Sequence, residues 1–162
     1  MRKDTTAEPA LHLMLLLACL PEGAELPAAK LAAFHDLSAG GVAKLMQKLT
    51  AAGLVLASPG RGGGYRLARA AGEISVLEIV TALDGIAPEF HCREIRRAGV
   101  CAGVAGRFSP RCAVAGVMDG AVEAWRAALR QVTLAALVRR SARSVDPSHQ
   151  AATAVWLDAH SR

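Results

Sequence analysis

Apolar residues recur at helical spacing in several separate stretches of the chain, and this pattern predicts a mostly helical protein. The first helix is predicted over residues 5–20 and the second over 27–35. The third is predicted over 38–53 with Ser38 as its cap, and its apolar face is formed by Val42, Leu45, Met46 and Leu49. Because only a tight turn separates the second and third helices, the pair predicts a helix-turn-helix.

A glycine-rich stretch, SPGRGGGYRLAR (residues 58–69), follows the short apolar segment 54–57 and contains YRL (65–67), which has the pattern of a returning strand. A Walker-type phosphate loop requires a Lys-Ser or Lys-Thr pair and a helix directly after its glycines, whereas here a strand pattern follows. The stretch therefore predicts a β-hairpin after the third helix. A hairpin in that place is the arrangement of a winged helix.

The second half of the chain predicts further helices. Ser75 and Glu78 form a capping box that opens a fourth helix ending at Gly85. A long helix is predicted over residues 113–143, in which a heptad-like apolar stripe is formed by Met118, Val122, Trp125, Leu129 and Val132. This stripe predicts homodimerisation, and packing of the helix onto its own domain is the alternative.

The predicted organisation has four parts. A winged helix-turn-helix DNA-binding domain occupies residues 1–87, and a loop containing three cysteines follows over 88–112. The dimerisation helix occupies 113–143. The C-terminal tail, 144–162, is expected to form one short helix or to fray. The predicted fold class is thus mostly α with a small β-hairpin wing.

Charge and composition support this interpretation. The 162 residues include 19 basic and 14 acidic side chains, which gives a net charge of +5, and 52% of residues are hydrophobic. A basic, core-forming protein suits binding to nucleic acid. The apolar run over residues 11–20 has about half the ~20 residues that a membrane span needs, so we expect a core helix, no membrane association and a cytoplasmic location.

Candidate DNA contacts lie on the third helix and in the hairpin. They are Ser38, Gly40, Gly41, Lys44, Gln47 and Lys48 on the helix, and Arg61, Gly62, Gly63, Tyr65 and Arg66 in the hairpin. Each glycine costs roughly 1 kcal/mol in a helix relative to alanine. Either the helix backbone approaches DNA closely at these glycines, or base reading rests on the polar side chains alone.

Cys92, Cys101 and Cys112 are separated by eight and ten residues, which is neither the spacing of a zinc site nor that of a ferredoxin. Arg93, Arg96 and Arg97 in the same loop are expected to lower the pKa of nearby thiols, which favours the thiolate that binds metal or senses oxidants. Cys19 lies in the first apolar helix and is expected to be a small buried side chain.

Together, the winged helix, the GRGGGYRLAR hairpin, the ISVLEIVTALDG helix and the cysteine loop before a long helix resemble the Rrf2 family of bacterial transcription regulators. That family includes an iron–sulfur cluster regulator and a nitric-oxide-sensing repressor. The resemblance covers about residues 8–140. It implies a homodimer that binds a roughly palindromic double-stranded DNA operator, with an iron–sulfur cluster controlling the binding.

The resemblance also implies a set of cluster ligands. Cys92 and Cys112 match the first and last cysteines of the family loop, whereas Cys101 falls in a longer loop and is the less favoured ligand. Some members hold a 2Fe–2S cluster with two cysteines plus a glutamate and a histidine from the partner's first helix. Glu8 and His12, four residues apart, match that pair, with His91 as an alternative to the histidine. A 2Fe–2S cluster is therefore favoured, and a 4Fe–4S cluster bound through Cys101 is the variant.

Three functions follow for comparison. The leading hypothesis is a repressor whose operator binding responds to the redox state of a cluster held between subunits. The second is a metal-free winged-helix regulator in which the cysteines sense oxidants as thiols or a disulfide. The third is an enzyme or a pure interaction module. The sequence contains no HExxH motif, Walker loop or dinucleotide fingerprint, so enzymatic catalysis is not favoured.

Overall fold

A computed structural model describes residues 6–60, 63–84, 90, 92–101 and 111–162 of the chain. The mostly helical fold with a β-hairpin wing is confirmed. The described elements, in chain order, are α1 (Ala7–Ala18), α2 (Ala28–Phe34), α3 (Ala39–Ala51), β1 (Val55–Ala57), β2 (Tyr65–Leu67), α4 (Val76–Asp84), α5 (Ala113–Arg130), α6 (Leu134–Ser144) and α7 (Pro147–His160). Short 3-10 turns occur at Ala71–Glu73, Ile95–Arg97 and Gly99–Cys101.

The helix-turn-helix forms where the sequence predicts it. Pro27 precedes α2 in extended conformation, and Ser38 caps α3 by accepting a hydrogen bond from the Gly41 amide at 3.2 Å. Asp36 in the intervening turn has a positive φ of 51°. On α3 the apolar stripe is buried as predicted, and it consists of Val42, Leu45, Met46 and Leu49. The opposite face of α3 is therefore left for solvent or a ligand.

The wing, residues 54–67, is an antiparallel hairpin in which Leu56 pairs with Arg66. Two of its glycines are dictated by close backbone approaches. A Cβ on Gly63 would lie 1.9 Å from the Ser58 carbonyl oxygen, and a Cβ on Gly64 would lie 2.8 Å from the Leu26 carbonyl carbon. Real Cβ atoms do not come this close, so the wing needs glycine at both positions. Arg61 and Gly62 lie outside the described residues.

Among the described residues, an apolar core is formed by α1, α2, α3, α4, α6 and α7 together with the wing. Helix α1 packs against α3, α4 and α6, and the strands of the wing cover one end of this core. Its fully buried side chains include Leu13, Met14, Leu31, Met46, Leu49, Ile79 and Leu134. Burying each such side chain stabilises the fold by about 1.5–3 kcal/mol. The apolar first helix is therefore a core element, as predicted, and no helix among the described residues is long and apolar enough to cross a membrane.

The chain divides into two compact units, one formed by Met1–Gly85 with Leu129–Arg162 and the other by Ile86–Ala128. This division differs from the sequence-based boundaries, because residues 129–162 belong with the amino-terminal part.

The capping box that opens α4 is confirmed within the first unit. The Ser75 amide donates to the Glu78 carboxylate at 2.8 Å, and the Glu78 amide donates to the Ser75 hydroxyl at 3.2 Å.

The prediction of one long helix over 113–143 is wrong, because the chain leaves helical geometry between α5 and α6. At the break, the Val76 amide donates to the Val132 carbonyl at 2.8 Å, and the Leu134 amide donates to the Ile74 carbonyl at 2.8 Å. Thr133 then caps α6 by accepting from the Ala136 amide at 3.1 Å. Val132 consequently lies in the break and not on the stripe of α5.

The tail forms a regular helix, α7, and packs onto the helix-turn-helix. Asp146 caps it, with Pro147 in its first turn. Leu157 is buried, and the Trp156 ring lies 4.8 Å from the Phe34 ring of α2, measured between centroids. Of the two outcomes expected for the tail, the structure shows the helix.

Cys19 is exposed, so the expectation of a buried thiol is wrong. The reason is local: α1 ends at Ala18, and Cys19 is the residue that caps its C-terminus. A side chain at that position is no longer held on the apolar face of the helix. Cys19 therefore has no packing role of the kind predicted.

Candidate DNA interface and cysteine site

The exposed face of α3 carries the predicted DNA-reading side chains. Lys44 and Gln47 are exposed, one turn apart on the face opposite the buried stripe. The Lys48 amine instead donates to the Leu83 carbonyl at the end of α4. This contact places a positive charge at a helix C-terminus, where it is favourable. The structure thus gives Lys48 a contact inside the domain that the sequence did not predict.

The two glycines at the start of α3 differ in their surroundings. A Cβ on Gly41 would lie 2.8 Å from the Ser38 hydroxyl oxygen, the atom that caps the helix. A Cβ on Gly40 would meet no heavy atom within 4 Å. Gly41 is therefore explained by the cap, whereas no contact inside the described protein requires glycine at position 40.

In the wing, the predicted contact residue Arg66 lies on β2 with its side chain 44% exposed. Its Nε donates to the Glu25 carboxylate at 3.3 Å. Tyr65 is half-buried, and its backbone pairs with Leu26 in an isolated bridge. The structure therefore brings Arg66 and the exposed face of α3 into one winged-helix unit, together with a carboxylate that sequence reasoning missed.

Cys92 and Cys112 lie close together in the unit Ile86–Ala128. Both line an open pocket of about 520 Å³ whose other walls include Phe90, Ile95 and Val114. Cys92 is exposed and Cys112 is half-buried, and the two thiols are within hydrogen-bonding reach of each other. The loop thus brings together the first and last of the three cysteines.

Cys112 is the residue immediately before α5, and its carbonyl accepts from the Gly116 amide at 3.0 Å. Hydrogen bonds from the Ala115 and Val114 amides lower the pKa of the Cys112 thiol, and together they outweigh the opposing effect of burial. Arg96 lowers this pKa further by its charge. The Cys112 pKa is therefore lowered mainly by the helix N-terminus and less by the arginines expected from the sequence. A cysteine directly before a predicted helix was a signal of this effect in the sequence.

Arg96 is held in place by a bidentate ion pair. Its Nη2 donates to Glu94 Oε2 at 2.8 Å and its Nε donates to Oε1 at 2.5 Å. Glu94 has a positive φ of 49°.

Cys101 closes a 3-10 turn, and its side chain lies outside what the structure describes. Its predicted secondary role as a ligand stays a prediction.

Glu8 and His12 are exposed and lie one turn apart on α1. The His12 ring contacts the His35 ring edge-on, with 5.4 Å between centroids. Burial lowers the pKa of His35, and the neighbouring His12 lowers it further. The predicted ligand pair is therefore accessible on one helix face. Across the described part of the chain, no group of three or more potential metal-ligating side chains occurs.

The exposed face of α5 is apolar in its first turns. Val114 is 62% exposed, Val117 is 73% exposed and Met118 is 40% exposed, whereas Val122, Trp125 and Leu129 are half-buried. Four of the five predicted dimer residues thus lie on α5, and Val132 does not. Large apolar side chains at this exposure are typical of a surface that another protein covers.

Sequence comparison identifies relatives along most of the chain. The sequence model of the Rrf2 family, described as an iron-dependent transcriptional regulator, matches residues 4–140. The regulator NsrR of Shouchella clausii is 28% identical over 138 residues, which covers 85% of this chain and 89% of that protein. The regulator IscR of Cronobacter sakazakii is 31% identical over 93 residues, or 57% of each chain.

Solved structures agree with the fold. IscR of T. potens matches with a TM-score of 0.64 and 23% identity, covering 87% of this chain and 88% of that one. CymR, described as the global cysteine regulator of B. subtilis, matches with a TM-score of 0.66 and 23% identity, covering 86% and 98%. The resemblance stated from the sequence is confirmed: the chain belongs to the Rrf2 family of DNA-binding transcriptional regulators, which are not enzymes.

Proposed function

We propose that this regulator is a homodimeric repressor whose operator binding is controlled by a redox-responsive iron–sulfur cluster, of the 2Fe–2S type, held between subunits. The observation that carries the proposal is that Cys92 and Cys112 line the same open pocket, with Cys112 directly before α5. Two adjacent thiols, one with a lowered pKa, supply the thiolates that bind iron in such clusters. The cytoplasmic location expected from the sequence stays a prediction.

The donor set fits a cluster with mixed ligands. Cys92 and Cys112 of one subunit would hold one side, and Glu8 and His12 of a second copy would hold the other. When bound, a 2Fe–2S cluster supplies a centre that exchanges one electron, and replacing thiolate by imidazole raises its reduction potential. The two α1 residues are exposed on one helix face, which suits ligands offered to another subunit. Glu94 meanwhile pairs with Arg96 and leaves the two thiols as the donors of the pocket.

The proposed dimer and DNA contacts rest on exposed surfaces. The apolar turns of α5 fit a second copy of the same helix, and an isologous dimer would present two winged helices related by a twofold axis. Such a pair reads half-sites about 34 Å apart. Lys44 and Gln47 on α3 would read the major groove, and Arg66 of the wing would contact the backbone.

The experiment that tests the cluster is purification without oxygen, followed by an absorbance spectrum with iron and sulfide counts. We expect visible charge-transfer bands and two irons per cluster. Replacing His12 by alanine should change the spectrum or lose the cluster, and Cys101→Ser should leave both unchanged. A colourless protein that takes up no iron after reconstitution would refute the proposal, and loss of iron in Cys101→Ser would point to the 4Fe–4S variant.

A second candidate function keeps DNA binding without the metal. Two cysteines that line one pocket could equally form a disulfide on oxidation. In that case oxidation of iron-free protein should join these two residues, as peptide mapping without reductant would show, and operator affinity should follow the disulfide. If iron-free protein still binds the operator, and if its operator affinity changes on oxidation, the metal-free candidate is favoured over the cluster.

A further inference from the structure

The segment before α2 is hydrogen-bonded along both edges. On one edge, the Leu26 amide donates to the Tyr65 carbonyl at 3.0 Å, and the Tyr65 amide donates to the Leu26 carbonyl at 2.9 Å. On the other edge, the Glu25 amide donates to the Arg162 carbonyl at 2.8 Å, and the Arg162 amide donates to the Glu25 carbonyl at 3.0 Å. The backbone of Glu25 is therefore fixed between the wing and the residue that follows α7 by two positions.

The Glu25 side chain extends from this fixed backbone to both strands of the wing. It is only 17% exposed. Its Oε1 accepts from the Ser58 hydroxyl, just after β1, at 2.6 Å, and from Arg66 Nε on β2 at 3.3 Å. A hydrogen-bonded, largely covered carboxylate of this kind holds its partners in one geometry.

The Arg66 contact engages only one nitrogen of the guanidinium. No hydrogen bond of its two terminal nitrogens occurs with the described residues. These terminal groups form one of the guanidinium edges that can pair with a phosphate. Glu25 thus holds the side chain through Nε and leaves this terminal edge for a ligand.

We propose that Glu25 is a positioning residue for DNA binding, which fixes Arg66 in advance for contact with the DNA backbone. This inference rests on the proposed wing contact of Arg66. Immobilising a long side chain on binding costs about 0.5–1.5 kcal/mol, which corresponds to roughly two- to tenfold in affinity. Prior fixation by Glu25 removes much of that cost. The carboxylate is a net aid despite its negative charge, because Arg66 neutralises it in the same contact.

The test is a double-mutant cycle in the full-length protein with Glu25→Gln, Arg66→Ala and the double variant. The probe is a labelled DNA duplex that the protein itself has enriched from a random pool, and the dissociation constant is measured over a range of salt concentrations. Glu22→Gln is the matched control, because Glu22 is an exposed carboxylate in the same turn. Glu25→Asp keeps the charge but shortens the reach to Arg66. Thermal unfolding is recorded for every variant.

We expect Arg66→Ala to weaken binding and to reduce the salt slope by about one. Glu25→Gln and Glu25→Asp should each weaken binding about two- to tenfold when Arg66 is present and should not weaken it when Arg66 is alanine. Glu22→Gln should not weaken binding. Equal weakening by Glu25→Gln in both backgrounds would overturn the inference in favour of a merely structural role.

Two further outcomes are separable from that one. Tighter binding by Glu25→Gln only when Arg66 is present would also overturn the inference, since Glu25 would then compete with DNA for the arginine. If Arg66→Ala has no effect on affinity or salt slope, the proposed wing contact itself fails. The cluster assignment is unaffected by any of these results, because it is read from iron content and absorbance.

Discussion

The replacement of Gly40 by alanine separates protein stability from DNA contact in a single variant. Gly40 is the second residue of α3, and a Cβ built there meets nothing within 4 Å. Its φ is not in the left-handed region, so alanine fits the backbone without strain. Nothing inside the described protein therefore explains a residue that disfavours the helix.

The two expected effects have opposite signs. Alanine should stabilise the fold by about 0.4–1 kcal/mol, because it reduces the conformational entropy of the unfolded chain. For a chain of this length, that gain raises the unfolding midpoint by about 1–4 °C. If α3 lies against DNA at this glycine, the added methyl group fills the space of a close contact. Overpacking of that kind costs about 1–3 kcal/mol, so DNA affinity should fall at least about fivefold.

The assay pairs thermal unfolding with fluorescence anisotropy on an operator duplex. Gly120→Ala is the control, because Gly120 also lies in a helix with nothing within 4 Å of its Cβ, and it follows Met118 of the apolar stripe by two positions. The control should gain similar stability and keep its DNA affinity. A more stable Gly40→Ala protein with unchanged affinity would refute the close approach and leave base reading to the side chains of α3.

Three further predictions concern stability. Partial burial alone would raise the pKa of Glu78, but hydrogen bonds from Arg69 and Ser75 outweigh it and hold the pKa below its usual value. Glu78→Gln should therefore destabilise the protein at neutral pH. The difference in the free energy of unfolding, measured by chemical denaturation, should shrink as the pH falls through the folded-state pKa of Glu78. Thr133→Ala should remove the cap of α6 and lower the free energy of unfolding by about 1 kcal/mol in the same assay. Thr153→Ala removes only a hydrogen bond to the preceding turn of α7 and should leave the free energy of unfolding almost unchanged. Trp156→Ala removes the ring packed on α2 and should lower the free energy of unfolding by about 2–4 kcal/mol. An unchanged unfolding midpoint would mean that α7 does not dock on α2.

Much of the first unit could be predicted from the sequence, because its signals are local. The stripe on α3, the Ser38 cap and the capping box of α4 depend on residues within a few positions of each other. The glycines of the wing were also readable as a tight hairpin. The cause at Gly64, its approach to the Leu26 backbone, involves a segment far away in the sequence and could not be predicted.

The sequence-based predictions that failed did so for two reasons: contacts with residues far away in the sequence, and a helix that ends one residue earlier than expected. The break before α6 arises from pairing with residues 74–76, which periodicity along α5 does not reveal. The predicted DNA contact of Lys48 stays a prediction, and its hydrogen bond to the Leu83 carbonyl on another helix was not predictable from local pattern. Cys19 was placed inside a helix that ends one residue earlier. In the candidate cysteine site, Cys92 and Cys112 were named from the family resemblance, because their spacing alone is not that of a known site. The amides that lower the Cys112 pKa belong to the first turn of a helix that the sequence did predict.

The pairing of Glu25 with Arg162 has a consequence for synthesis of the protein. Residue 25 leaves the ribosome early and residue 162 much later, yet their backbones share two hydrogen bonds beside the wing. Contacts between such distant positions form late in folding, because the intervening chain must first be closed into a loop. A nascent chain can form the helix-turn-helix before this edge exists. The backbone of Glu25 therefore gains these two hydrogen bonds only after the residues that follow α7 have been translated.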